Sequence, residues 1–433
     1  MGETPVLLTG KMPVLLGVAE MESKFSRRYA WLVLLLSVVS VGCAQAQQPR
    51  NVILFIADGT GVGQIHAARS YLGHPLVFET FAHRGKLTTR SANSEITDSA
   101  AAATAEATGY KVNNGVLSVA TPANAAYGEG IAMRTALEEM QLRGKRTGLV
   151  TTDVMTGATP AAFGAHQSAR GKTEDIANDY FTRSRPNLLL GGVSKGITPE
   201  AARAAGYRVV TNRQQLQAAV QEPGKNVPNI AGQFGTGSMP YEYDQSEAYK
   251  TLPHLSEMTT AALEVLGRDP NGFFLMVEAS RIDNACHGNQ LERAVGEAVE
   301  LNRAVEAALK WAANRKDTLI IVTADHETGG LAVTADNGPG QYPAVSWSTK
   351  SHTGAAVTIA ATGVGAGAIA DIQDNTQVHA ILLDAAGVAR TVKAERLSTA
   401  GLSCHRVEAV PEAETVRVGG DVNVSGTTGH TTR

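Results

Sequence analysis

Cysteine is scarce, with three residues in a chain of 433, at positions 43, 286 and 404. A fold stapled by several disulfides is excluded, since Cys286 and Cys404 can form one bridge at most even in an oxidising compartment. Aromatic residues make up 5% of the chain and charged residues 18%. Neither sign of charge dominates: 38 basic against 41 acidic residues leave a formal net charge of -3. No basic stripe of the kind needed to bind a nucleic-acid backbone is present, so nucleic-acid binding is not expected. The apolar run from Ala30 to Gly42 is too short for a comfortable membrane span. With 43% hydrophobic residues, the chain is held together by its core.

That run instead reads as an export signal. Lys24, Arg27 and Arg28 precede it, and Ala44-Gln45-Ala46 follows as a small-x-small cleavage pattern. The expectation is a periplasmic or secreted protein with no transmembrane segment after cleavage. Met21 is the better start, because residues 1–20 sit awkwardly before the charged region. A lipid anchor at Cys43 is the weaker alternative, since Ser40 stands where a lipoprotein signal usually carries Leu. The expected boundaries are a leader over 1–46, one folded domain over 47–389 and a polar, disordered tail over 390–433.

Within the folded part, near-continuous apolar runs alternate with helical patterns. "NVILFIADG", "RTGLVTTD", "NLLLGG", "FFLMVEAS", "TLIIVTADH" and "AAVTIAATG" have the length and composition of strands buried on both faces. In "LERAVGEAVELNRAVEAALKWAANR", Leu291, Ala294, Val295, Ala298, Asn302, Val305, Ala308, Leu309 and Ala312 make an i, i+3, i+4 stripe with one polar interruption. The alternation predicts an α/β fold, a three-layer α/β/α sandwich with a large, mostly parallel central sheet. Residues 231–250 read as a long loop over the site.

Ligand sites in such sheets lie beyond the carboxyl ends of the strands. Asp58 closes the first strand, Glu278, Asp283 and His287 follow "FFLMV", Asp325 and His326 end "LIIVTADH", and His352 directly precedes "AAVTIAATG". Ser99 lies where a loop runs into the helix former "AAAATAEAT", a position equally suited to a helix cap or a nucleophile facing an anion. Any one of these acids or histidines alone is more often a turn former or a satisfied residue. Together at strand ends they are hard to ascribe to chance, and their types suit zinc and magnesium.

Six motifs in order, "IADGTG", "TDSAAAATAEATG", "GATPAAFGAHQSARG", "FFLMVEASRIDNACHGN", "VTADHETGG" and "SHTG", resemble those of the secreted bacterial alkaline phosphatases over roughly residues 50–388. The resemblance implies a catalytic domain over 47–389 that hydrolyses phosphate monoesters, releasing inorganic phosphate through a phosphoserine on Ser99. It implies two Zn²⁺ and one Mg²⁺: one zinc held by Asp283, His287 and His352, the other by Asp58, Asp325 and His326, and the magnesium by Asp58, Thr159 and Glu278. Arg170 would clamp the phosphoryl group, and Asp98 would position Arg170.

Three departures stand out. Relatives often carry Asp or His two residues before the magnesium-binding Thr, and Lys or His after the zinc-binding Asp, where this chain has Gly157 and Asn284. The uncharged pair predicts weaker retention of the third metal and of product phosphate. The interval between His326 and His352 is short, which implies a reduced crown region and leaves a homodimer open. Cys286 reads as a small apolar filler. Competing readings are a phosphodiesterase, a sulfatase, disfavoured because alanines follow Ser99, and a phosphate or metal binder without turnover, which would not need Ser99.

Overall fold

The computed structural model describes residues 48–122, 130–222 and 229–388; the leader and the tail after 388 lie outside them. Thirteen strands are numbered in chain order: β1 Asn51–Ile56, β2 His83–Leu87, β3 Arg146–Val154, β4 Leu188–Gly192, β5 Tyr207–Val210, β6 Asn229–Phe234, β7 Phe273–Glu278, β8 Thr318–Thr323, β9 Glu327–Thr328, β10 Ala332–Ala335, β11 Ala344–Ser346, β12 His352–Thr353 and β13 Val357–Gly363. Nine of them form one sheet in the order β2-β13-β8-β1-β7-β3-β4-β6-β5. The pairs from β8 through β5 are parallel, while β13 is antiparallel to both its neighbours. Helices pack about this sheet in the alternating βα pattern, which is the sandwich the apolar runs predict.

Each predicted strand is present, and the central ones are buried at every position, as a sheet covered on both faces requires. The stripe on the helix Leu291–Ala312 faces the core, and its polar interruption has a purpose. Buried Asn302 accepts the backbone N–H of Val77 at 2.7 Å, satisfying a donor beside the helix. One feature departs from the sequence reading. Residues 229–234 are strand β6 rather than the start of a loop, because Gly232 and Phe234 complete a ladder with β4 and β5. His352 lies ahead of β13, as expected, in the short β12 paired with β9. No helix among the described residues is long and apolar enough to cross a membrane. Cys286 is free and fully buried, and the amide of Gln64 donates to its sulfur at 3.7 Å.

Candidate active site

Register places the site. Ile56 in β1 lies opposite Glu278 in β7 and Thr323 in β8, so three adjacent strands end at one level. Asp58, Glu278 and the Asp325-His326 pair therefore emerge side by side. Asp58, Asp325 and His326 bring ligating atoms within 4.8 Å of one another, and all three are buried. His326 Nε2 is 3.2 Å from Asp325 Oδ2 and 3.5 Å from Asp58 Oδ1. Asp58 Oδ1 and Asp325 Oδ2 have no hydrogen-bond partner. A chain gains nothing by burying two unpaired carboxylate oxygens, and a cation between them resolves the cost.

A second group lies alongside. Asp283 and His287 sit four residues apart on the helix Arg281–His287, and His352 reaches them from β12. The Nε2 atoms of His287 and His352 are 3.2 Å apart and lie 3.3 and 3.6 Å from the oxygens of Asp283. On the other side of each ring, Nδ1 meets a carbonyl, that of Lys350 at 2.6 Å and that of Thr97 at 2.8 Å. A carbonyl only accepts, so each Nδ1 carries a proton and Nε2 is the inward-facing atom that a metal would take, displacing any proton held there. The Thr328 hydroxyl joins the groups: it donates to Asp283 Oδ1 and lies 3.3 Å from His326 Nδ1. Gly59, at φ +72°, lets the β1 turn pass close by, since a Cβ there would meet the Asp283 backbone at 2.7 Å.

Ser99 opens the helix Ser99–Thr108, every residue of which is buried. The cap is Asp98 rather than Ser99, because the Asp98 carboxylate accepts the N–H of Ala101 at 3.0 Å. Ser99 is left free to present its Oγ 3.2 Å from His326 Nε2. The other oxygen of Asp98 takes the Arg170 guanidinium at 3.1 Å. Beyond Asp58, Glu278 accepts the hydroxyl of Thr151 from β3, and the buried Thr159 Oγ1, at the start of the helix Ala158–Gly164, has no hydrogen bond of good geometry.

Electrostatics mark the same place. Burial raises the Asp58 pKa far above the carboxylate range, and Asp325, Asp283 and Glu278 raise it further. Glu278 is pushed up to about 8, by burial first and then by Asp153. Asp283 goes the other way, to about 2: burial opposes ionisation, but His287, His326 and Thr328 outweigh it. So many carboxylates in one buried space call for positive charge beyond what the chain supplies.

A family model described as alkaline phosphatase matches residues 49–195 and 193–344, more than half of the chain. The chain belongs to the alkaline phosphatase family. It is 35% identical to alkaline phosphatase 3 of Bacillus subtilis over 308 residues, covering 66% of this chain and 63% of that one, so it spans somewhat under two thirds of that relative's length. Streptomycin-6-phosphate phosphatase of Streptomyces griseus is 34% identical over 418 residues, 78% of this chain and 91% of the relative. The solved alkaline phosphatase of the Antarctic bacterium TAB5 has a TM-score of 0.69 at 26% identity, covering 80% of this chain and 100% of that one.

For this alkaline phosphatase family member, the structure brings together the residues read at strand ends, Asp58, Glu278, Asp283, His287, Asp325, His326 and His352, and those taken from a helix start and the motif resemblance, Ser99, Asp98 and Arg170, with Thr159 beside Glu278. Sequence reading passed over Thr328, although it lies inside a quoted motif two residues after His326, and Thr151, whose only signal is its place at the end of a strand. It also missed Arg281, whose guanidinium donates to Asn284 Oδ1 at 2.7 Å and lies 3.8 Å from the Tyr241 ring centroid. A positive charge thus stands beside position 284 although Asn284 is neutral. A third group, Glu242, His254 and Glu300, also has ligating atoms within 4.8 Å of one another. Its members are already partnered: His254 Nδ1 lies 2.9 Å from both Glu242 oxygens, and Glu300 accepts from Ser256 N and Arg303.

Proposed function

We propose that the protein hydrolyses phosphate monoesters through a phosphoserine on Ser99, with two zinc ions at the two Asp/His groups and one magnesium ion by Asp58, Thr159 and Glu278. The observation that carries the reading is the position of Ser99 Oγ, at the first residue of a ten-residue helix and 3.2 Å from His326 Nε2. The donor sets fit the ions. Inward-facing imidazole nitrogens and unpaired carboxylate oxygens suit zinc, and an all-oxygen set of Asp, Thr and Glu suits magnesium. Magnesium is the ion bound in the M3 site of a variant of the TAB5 enzyme.

When bound, the cations would favour the alkoxide of Ser99 and offset charge on the attacking and departing oxygens. The protein's own groups do the rest. The helix starting at Ser99 aims free N–H groups and the positive end of its dipole at an anion arriving there. Arg170, held by Asp98, presents a planar fork that takes two phosphoryl oxygens and fixes the phosphorus in line with Oγ. Ser99 Oγ attacks, the ester oxygen leaves as the alcohol, and water then attacks the phosphoserine to release phosphate and restore Ser99. The export signal agrees with work outside the cytoplasm on substrates met there.

The test is release of phosphate from an aryl monoester by the metal-loaded protein. Activity should fall by about a thousand-fold or more in Ser99→Ala, with metal content unchanged. A Ser99→Ala protein as active as the parent, or a parent equally active on a diester, overturns the reading.

A further inference from the structure

Gly157 leaves the third metal position without a side chain just before Thr159, yet that space is not empty. A Cβ built on Gly157 would lie 2.5 Å from Asp153 Oδ2 and 3.2 Å from its Cγ. The carboxylate of Asp153, from the end of β3, fills the volume that a residue at 157 would use. Gly157 closes a turn through its N–H to the Val154 carbonyl at 2.7 Å, but its φ of -56° is one that any residue adopts, so the turn does not require glycine and its missing side chain makes room for Asp153.

Backbone features converge on that placement. The pairing of β3 with β4 slips between Val150 and Val154, so the strand bulges over Thr151–Asp153, a device that re-aims side chains beside active sites. Within the bulge, the Asp153 N–H bonds to Thr151 Oγ1 at 2.8 Å, and that hydroxyl in turn donates to Glu278. Gly191 and Gly192 leave room for the bulge, since a Cβ at either would press on the Asp153 carbonyl at 3.2 and 3.0 Å. The loop after β6 closes the arrangement: Ser238 donates to Asp153 Oδ1 at 2.7 Å, and Met239 N bonds to the Thr152 carbonyl at 2.8 Å. Oδ1 is thereby engaged, and Oδ2 is the oxygen beside position 157. Thr159 Oγ1, fully buried beside Glu278 and without a hydrogen bond of good geometry, independently points to a ligand there.

We propose that Asp153 supplies to the third cation's shell the carboxylate that position 157 lacks, with Ser238 holding it in place. The proposal rests on the three-metal reading above, and it replaces the expectation of a weakly held third metal. Gain of the carboxylate at 153 and loss of the side chain at 157 are one exchange, since a side chain at 157 would push the Asp153 carboxylate out of its place.

Equilibrium dialysis against graded Mg²⁺, and Mn²⁺ substitution read by electron paramagnetic resonance, test this on zinc-loaded full-length protein. Asp153→Ala and Asp153→Asn should weaken the third cation about ten- to a hundred-fold while both zincs remain, and the zinc count serves as the check on folding. Gly157→Asp alone should also weaken it, because the new side chain collides with Asp153. The double variant Asp153→Ala/Gly157→Asp should bind better than either single one. Unchanged Mg²⁺ affinity in both Asp153 variants, or a double variant no better than Asp153→Ala, overturns the role of Asp153. A parent that holds two zincs but takes up no third cation at millimolar Mg²⁺ overturns the three-metal reading itself, a result distinct from the other two.

Discussion

Asp98 carries two jobs on two different oxygens, and one pair of substitutions separates them. Oδ1 accepts the N–H of Ala101 at 3.0 Å, capping the nucleophile's helix, and the N–H of Gly115 at 3.0 Å. Oδ2 faces the Arg170 guanidinium at 3.1 Å. Asp98→Ala removes the cap, worth about 1 kcal/mol, and strands the Gly115 donor for about 1 kcal/mol more. The sum of about 2 kcal/mol corresponds to a fall in Tm of about 3 °C for a domain this large. Asp98→Asn keeps an acceptor at Oδ1 and loses only the carboxylate's attraction to the helix dipole and to a partly exposed arginine, together about 1 kcal/mol or less. Towards Arg170, however, the two variants are alike. Alanine offers nothing, and asparagine turns an N–H₂ group toward another donor. Both should loosen the clamp and weaken inhibition by inorganic phosphate about ten-fold, the worth of one oriented charge-assisted contact of about 1.4 kcal/mol. Calorimetry and phosphate inhibition on the same preparations read both effects. Equal destabilisation by the two variants would refute the assignment of the cap to Oδ1, and unchanged phosphate inhibition in both would refute Asp98 as the group that positions Arg170.

Glu106, on the nucleophile's helix, is fully buried with both oxygens unpartnered, and its pKa is raised well above the usual range, by burial first and by Asp325 next. A raised carboxyl pKa gives stability that is present at low pH and lost as pH rises through the folded value. Glu106→Gln should therefore match the parent's Tm near pH 4 and exceed it increasingly toward pH 9; a variant less stable at pH 9 would show that the carboxylate has a partner. Gly63→Ala would ordinarily favour a helix, but here a Cβ would sit 1.9 Å from the Leu331 carbonyl oxygen, so Tm should fall by an amount that reflects about 2 kcal/mol or more. In the metal-free chain His287 is raised to about 9, chiefly through its hydrogen bond to Asp283. Metal must displace that proton at lower pH, so zinc affinity measured against a chelating dye should climb steeply from pH 6.5 to 8.5 and level off above 9, whereas a flat profile would contradict the pairing.

Much of this was legible in the sequence because burial and chemistry left plain marks. Strands covered on both faces must be apolar throughout, so β1, β7 and β8 announce themselves as unbroken runs, and the polar residue that ends each run falls at a site. Short strands with less demanding surroundings left no such mark. β5 is half-exposed along its middle, and most of β6 reads as the start of a loop because its Gly232 and Gln233 are small or polar, although its ladder to β4 is complete. Sequence leaves Ser99 open between cap and nucleophile for a similar reason: Asp and Ser are both good cap residues, and only the bond from Ala101 to Asp98 gives the cap to Asp98.

Residues such as Thr328 and Asp153 were harder to find because their roles depend on neighbours distant in the chain. Thr328 is one threonine among many until its hydroxyl is seen between Asp283 and His326. Gly157 raises a sharper point. Read position by position, a missing charge beside a metal ligand means a weaker site, because a sequence aligned by motif gives a role to a place in the chain. Coordination depends on a place in space, and the bulge at the end of β3 brings a carboxylate from four residues earlier into that space. An acidic residue at 153 and a glycine at 157 should therefore vary together: putting a side chain at 157 while Asp153 remains should cost more than removing Asp153 and then putting it there. That sign of the coupling follows from steric exclusion alone, and a site whose two positions were independent would give simple additivity instead.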